Sequence, residues 1–185
     1  MKVLLGSNSE KMIAKLRPYL TASGYTVCAI AQDSYELLRL NQALSPHLII
    51  LDEELRGGSL LSAVETLTFH KRAVIVIGKA HKIGYYSQSP YLEFSNVPVQ
   101  LSLLDATIRM LVKYTDSLRK LENKVEQYEL KQKTDKKVGQ AKRLLQQVED
   151  MSEDEAHRYI QKCSMERRIS KLECAEEIIK KYGAR

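Results

Sequence analysis

Seven basic side chains in the last third of the chain, Lys142, Arg143, Arg158, Lys162, Arg167, Arg168 and Lys171, are of the types that bind phosphate oxygens. Four of them, Lys162, Arg167, Arg168 and Lys171, cluster around one turn between two amphipathic stretches. A helix starting at that turn adds free backbone N–H donors and the positive end of its dipole, so the combination suits contact with a polyanion. Acidic residues (Glu149, Asp150, Glu153, Asp154, Glu166) are interspersed, which also describes an ordinary solvated helix face; charge alone leaves nucleic-acid binding open. A second candidate is Asp52, which follows the apolar run Leu48–Leu51 and precedes Glu53 and Glu54. The four histidines (His47, His70, His81, His157) have no metal-ligand spacing among themselves or with the cysteines, so neither a metal nor another cofactor is expected. Cys28, Cys163 and Cys174 each lie among apolar positions. They read as small core residues in a reducing compartment; a Cys163–Cys174 bridge is conceivable but not the favoured reading.

The elements that carry these residues can be read from periodicity and punctuation. Two capping boxes, Ser152-Glu-Asp-Glu155 and Ser170-Lys-Leu-Glu173, place helix starts near 153 and 171, with a break near 168–170. Three apolar stripes at helical spacing surround them: Val138, Ala141, Leu144, Leu145, Val148; then Ala156, Tyr159, Ile160, Cys163; then Leu172, Ala175, Ile178, Ile179, Tyr182. Short helices with one apolar face each close by packing on one another, which gives an all-α three-helix module over 136–185. Tyr159 and Tyr182 lie on the stripes and are expected to be buried. Upstream, Leu111, Leu118 and Val125 recur every seven residues, with Tyr114, Leu121 and Tyr128 at the complementary positions. That is a short a/d seam, expected to form a dimeric coiled coil over 113–135, with a packed surface helix as the competing reading. The apolar pattern fades over 131–137 and Gly139 follows, so a hinge or register change is expected there.

From 1 to about 112, short apolar runs (Val3–Leu5, Tyr25–Ala31, Leu48–Leu51, Ala73–Ile77 and a weaker one at Tyr91–Val97) alternate with amphipathic stretches. Buried strands alternating with helices indicate an α/β flavodoxin-like domain built on a five-stranded parallel sheet, with five helices expected. In such sheets ligands meet the carboxyl ends of the strands, where Asp52 falls.

Two family resemblances follow from these residues. Ala141-Lys142, Leu144-Leu145, Ser152-Glu153-Asp154-Glu155-Ala156, Ser164-Met165, Ala175 and Ile178-Ile179 resemble, in order and spacing, the ANTAR family, the RNA-binding antitermination domain of amidase- and nitrate-type regulators. Arg143 stands where that family often has glycine, and Ser164 where alanine often precedes the methionine; neither breaks an apolar stripe, though Arg143 can alter the contact surface. The segment His47–Gly58 resembles the third strand and following loop of the receiver domain of bacterial two-component response regulators, with Asp52 at the phosphoacceptor position. The rest of that site departs from the pattern. Ser7 and Asn8 stand where an acidic pair would hold Mg²⁺, Gly78 replaces a hydroxyl residue, and Val97 replaces the lysine before Pro98. Phosphoryl transfer relies on metal and cations to neutralise the equatorial oxygens, and Mg²⁺ favours carboxylate and phosphate oxygens. The favoured reading is a pseudo-receiver in which Asp52 is a relic.

Lys and Arg outnumber Asp and Glu by 29 to 23, and by 18 to 14 over residues 113–185, a basic but mixed balance that permits a nucleic-acid partner without requiring one. No run of 18 apolar residues occurs and the first apolar run is too short for a signal peptide, so a cytoplasmic, non-enzymatic protein without membrane association is expected. The resemblance implies a regulator that binds hairpins in leader RNA and promotes transcription antitermination. A homodimer would present two modules, and a protein partner or ligand would act on the receiver-like half. Tyr85, Tyr86, Tyr91 and Phe94 mark a candidate partner surface there, with core burial as the alternative. Two other functional classes stay open: a regulator phosphorylated at Asp52, and a coiled-coil adaptor that never touches nucleic acid. A DNA-binding regulator is less favoured, because the helix pair lacks a glycine-containing helix-turn-helix connection.

Overall fold

The computed structural model describes residues 1–79, 86 and 88–183. The chain packs as two compact units, one from Met1 to Lys120 and one from Leu121 on. The first contains β1 (Lys2–Gly6), α1 (Glu10–Ala22), β2 (Thr26–Ala31), α2 (Ser34–Leu44), β3 (Leu48–Asp52), α3 (Leu60–Phe69), β4 (Ala73–Gly78) and β5 (Leu92–Asn96). All strand pairs are parallel and the sheet order is β2-β1-β3-β4-β5. The crossover between the first two strands and the third puts helices on both faces, which is why β3 and β4 are apolar without alternation and buried at every position.

The two-residue period of the strands sorts one core into two layers. Val3, Leu5, Leu48, Ile50, Ile75 and Ile77 meet Leu16 and Leu20 of α1 on one face. Leu4, Ile49, Leu51, Val74 and Val76 meet Leu37, Val64 and Leu67 of α2 and α3 on the other. The helices start where serine or aspartate can cap them: the side chains of Ser9, Asp33 and Ser59 accept from the backbone N–H of Met12, Glu36 and Ser62. The expected helix between β4 and β5 lies largely outside the described residues; six helices are present among those described.

The fourth helix, α4 (Leu101–Glu149), is followed by α5 (Glu153–Arg167) and α6 (Lys171–Tyr182). In the first unit Leu104, Ile108 and Leu111 of α4 complete the layer that contains α1. In the second, Ala141 and Leu145 of α4 join Ala156, Ile160, Cys174, Ala175, Ile178 and Tyr182 in a separate core. No hinge interrupts α4 at 131–139. Most residues there are good helix formers, and a single interior glycine costs only about 1 kcal/mol against alanine, too little to break a long helix.

The second core is small, so its helix ends matter. Both capping boxes are complete. The Ser152 hydroxyl accepts from Glu155 N–H while the Glu155 carboxylate accepts from Ser152 N–H at 2.9 Å; Ser170 and Glu173 repeat the pattern with 2.8 Å for the return bond. A cap is worth about 1 kcal/mol, against roughly 1.5–3 kcal/mol for each large apolar side chain fully buried. Two such caps are therefore a sizeable fraction of what holds three short helices together.

Candidate nucleic-acid interface and the Asp52 pocket

The turn between α5 and α6 is built as a Schellman motif. Arg168 N–H donates to Met165 C=O at 3.3 Å and Ile169 N–H to Ser164 C=O at 3.1 Å, and Ile169 folds back on the core. Closing it requires the left-handed backbone at Arg168 (φ 53°), a position where glycine is the usual residue. Two residues on, the Ser170 cap starts α6 and Lys171 becomes its first helical residue, a cation at the positive end of a helix dipole. Both side chains are exposed. Helix electrostatics would not give the Lys171 position to a cation, and the backbone at Arg168 would favour glycine over any side chain.

The seven basic residues do not act alike. Arg167 is bound through both terminal nitrogens to the Glu177 carboxylate of α6, with Nη2 to Oε1 at 3.0 Å, and this raises its pKa further. Lys142 is bound to Glu153 at 2.7 Å and is only 22% exposed, and this pairing lowers the Glu153 pKa. Lys162 lies 3.8 Å from Glu166 on its own helix, a loose exposed pair. Arg143 is exposed on α4, and Arg158 is exposed on α5 in the field of Glu155. Among the described residues Arg143, Arg158, Arg168 and Lys171 form no ion pair. Arg167 and Lys142 thus tie neighbouring helices together, whereas Arg143, Arg158, Arg168 and Lys171 stand exposed.

Tyr182 is buried as its stripe predicts, with Lys181 over its ring at 4.5 Å. Tyr159 is not: it is 42% exposed. Ala156, Ile160 and Ser164 occupy the centre of the buried face of α5, and Tyr159 falls on its flank beside Arg158 and Lys162. It is an aromatic surface group that stripe counting missed.

The heptad positions also divide. Leu111 is 2% exposed and belongs to the core of the first unit, a correction to its place in the seam: the first turns of α4 must cover the sheet before any face is left over. Leu118 is half-buried. Tyr114 (52%), Leu121 (59%), Val125 (47%) and Tyr128 (68%) are exposed, an apolar stripe along α4 that the monomer leaves uncovered.

Asp52 ends β3 and is 7% exposed. Its Oδ2 accepts from the Ser7 hydroxyl at 2.9 Å and its Oδ1 from Glu54 N–H at 3.1 Å. The cavity beside it, lined by Ser7, Met12, Ile13, Leu16 and Ile50 among others, holds about 10 Å³, the space of one water molecule. At the end of β4, the Glu53 side chain fills the place where a side chain at position 78 would stand. A Cβ on Gly78 would come within 2.8 Å of Glu53 Cβ and against its carboxylate. Burial, and then the Glu53 charge, push the Tyr86 hydroxyl pKa up.

A receiver fold implies Mg²⁺ at this point, and the residues present do not fit it. Asp52 accepts from a hydroxyl and a backbone N–H, and Ser7 and Asn8 bring no charge beside it, so the charged oxygens that Mg²⁺ favours are not gathered around this carboxylate. Among the described residues no group of three or more acidic, histidine or cysteine side chains could hold a metal. Tyr91 is buried and Tyr86 packs on Phe94 with ring centres 6.0 Å apart, so core packing accounts for these aromatics; Tyr85 lies outside the described residues.

Comparison with known proteins agrees with both halves. The ANTAR domain family matches residues 126–179. The transcriptional regulatory protein PdtaR of Mycobacterium tuberculosis is 26% identical over 191 aligned positions, covering 98% of this chain and 91% of that protein. Among solved structures, the signal receiver domain of a modulated diguanylate cyclase from Desulfovibrio desulfuricans superposes with a TM-score of 0.54 at 19% identity. That match covers 62% of this chain and 95% of the other. The receiver domain of an HD domain-containing protein from Pseudomonas fluorescens gives 0.53 at 18%, covering 64% and 91%. Among the described residues no helix is long and apolar enough to cross a membrane. The N-terminal unit, with its parallel β2-β1-β3-β4-β5 sheet, thus has the receiver fold, and residues 126–179, in the double-capped three-helix module, match the ANTAR domain family.

Proposed function

We propose that this protein is a cytoplasmic antitermination regulator that binds hairpins of leader RNA through its ANTAR module. The observation that carries the reading is the α5–α6 turn, where Arg168 sits on a left-handed backbone and Lys171 at a helix N-terminus. An arginine where the backbone favours glycine, and a lysine at a helix N-terminus, are side chains kept at a cost to local stability, which supports a role other than stability. Arg143, Arg158 and Lys162 extend the basic surface, and Tyr159 adds a flat face of the kind on which unpaired RNA bases stack. The apolar stripe Tyr114, Leu121, Val125 and Tyr128 supports pairing of two chains, which would offer two modules to a two-hairpin target and raise affinity through effective concentration. Since the Asp52 pocket fits no metal, control is exercised by a protein partner or ligand on the receiver-fold unit.

The test is a gel-shift titration with leader RNA at several salt concentrations. RNA affinity falling steeply with salt is expected, and double substitution Arg168→Glu and Lys171→Glu should remove binding while thermal unfolding stays cooperative. Unchanged affinity in that variant would refute the assignment. Salt-insensitive behaviour with no bound RNA would favour a coiled-coil adaptor.

A further inference from the structure

A groove between the last turns of α2 and α3 belongs wholly to the first unit. Leu38, Asn41 and Gln42 of α2 line it, with Thr66 of α3, His70 at the end of that helix and Arg72 just before β4. Ala73, next to Arg72, pairs with Leu48 at the start of β3, so the groove lies at the opposite end of the sheet from Asp52. Its volume of about 430 Å³ is that of a site for a small organic molecule. Asn41 shares the buried face of α2 with Ser34 and Leu37 and is 6% exposed, yet its side-chain oxygen has no hydrogen-bond partner. A buried acceptor left unmatched costs stability that a leucine at the same position would not, and it signals a partner that the chain does not provide. Thr66 is not that partner, because its hydroxyl donates to the Ser62 carbonyl at 2.8 Å. Arg72 is unmatched too. It is half-buried, forms no ion pair among the described residues, and has no carboxylate beside it in the lining.

We propose that this groove binds a small hydroxy-carboxylate, an organic acid that carries a neutral O–H donor beside its carboxylate. The hydroxyl donates to Asn41 Oδ1, and the carboxylate accepts from the Arg72 guanidinium, whose planar fork suits two carboxylate oxygens. One ligand thus satisfies both unmatched groups, and Leu38 offers apolar wall to its carbon skeleton. Charge narrows the class. A dianionic phosphate ester exceeds the single arginine, and an amino acid brings an ammonium that no carboxylate in the lining would meet. The carbonyl ends of α2 and α3 lie on this side and oppose a bare anion, so a carboxylate without a donor fits poorly. Such a site gives the receiver-fold unit a ligand input; the binding itself does not rest on the RNA reading.

The experiment titrates the isotopically labelled full chain and follows its amide NMR signals. The probes are L-lactate and L-mandelate, against acetate (carboxylate alone) and lactamide (hydroxyl alone). The proposal expects either hydroxy acid to shift the Asn41 side-chain amide signals saturably, those signals being identified by their loss in Asn41→Leu. Acetate and lactamide should bind roughly tenfold more weakly or worse, and Arg72→Met should weaken the hydroxy acid by a similar factor. Three results would each overturn it: no saturable shift with either hydroxy acid, which leaves a water as the partner of Asn41; an equal response to acetate; or undiminished binding in Arg72→Met. The acetate and lactamide arms are read on the parent chain, so they decide even where the methionine variant misfolds. No RNA enters any of these readouts, which separates their failure from failure of the RNA reading.

Discussion

Replacing Arg168 with glycine should stabilise the ANTAR module while weakening its contact with RNA. The backbone at this residue is left-handed, with φ of 53°. That conformation costs an ordinary L-residue roughly 1–2 kcal/mol and costs glycine almost nothing. Glycine gives part of the gain back, because its unfolded chain is freer. A net gain of about 0.5–1 kcal/mol is expected, and the two bonds of the Schellman motif, from Arg168 and Ile169 N–H, survive because they are backbone bonds. For a module of this size that is a rise in unfolding midpoint of about 2–8 °C. Against this, the proposed RNA interface would lose one phosphate contact, so the slope of log affinity against log salt should become shallower by about 0.7–0.9. Calorimetry and a salt series on the same preparation give both numbers. A lower midpoint would mean that the arginine side chain holds the turn; an unchanged slope would mean that Arg168 does not meet the RNA.

Acid should loosen the same module. The carboxylates of Glu155 and Glu173 are held below the ordinary range, the first by the Ser152 hydroxyl and backbone N–H, the second by the Ser170 N–H and hydroxyl. A depressed pKa gives stability that is present above the unfolded value, about 4.3, and lost as pH falls through the folded value. Helicity should therefore start to fall below about pH 4.3, and Glu155→Gln with Glu173→Gln should flatten that dependence in circular dichroism. Leu111→Ala should cost about 2–5 kcal/mol in urea unfolding, as expected for a buried leucine. Leu121→Ala, at an exposed site, should change monomer stability by no more than about 0.5 kcal/mol yet shift sedimentation equilibrium towards monomer. Acetyl phosphate with Mg²⁺ should leave Asp52 unlabelled on Phos-tag gels, and a labelled band lost in Asp52→Ala would reverse the reading of the pocket.

What could be read without coordinates was whatever chemistry is local. The strands of the first unit, the Ser152 and Ser170 capping boxes and the stripe through Ala156 and Ile160 need only neighbours within one or two turns. Ion pairs across helices do not have that property. Arg167 reaches Glu177 and Lys142 reaches Glu153 only because of how the helices cross, so a basic cluster counted along the chain mixes braces with free cations. Leu111 failed for a different reason: a heptad stripe and a core-facing stripe have nearly the same period, and the pattern cannot say which surface it meets. Glu53 filling the space over Gly78 depends on two adjacent strands, and only the missing hydroxyl was visible beforehand.

The Asp52 pocket constrains how any signal enters. Phosphorylation switches a protein by adding negative charge and acceptor oxygens that recruit new donors. Here both Asp52 oxygens already have donors, the Ser7 hydroxyl and Glu54 N–H, and the positions of the usual acidic pair are Ser7 and Asn8. Under the proposed reading the input acts by differential affinity, binding one state of the receiver-fold unit more tightly than another, because a ligand shifts an equilibrium only by that difference. Moving an equilibrium from 1:99 to 99:1 takes a difference of about 5.5 kcal/mol, more than one hydrogen bond supplies and within reach of a protein interface. Under the same reading, the exposed Tyr114, Leu121, Val125 and Tyr128 offer apolar surface to such an equilibrium through pairing of two α4 helices.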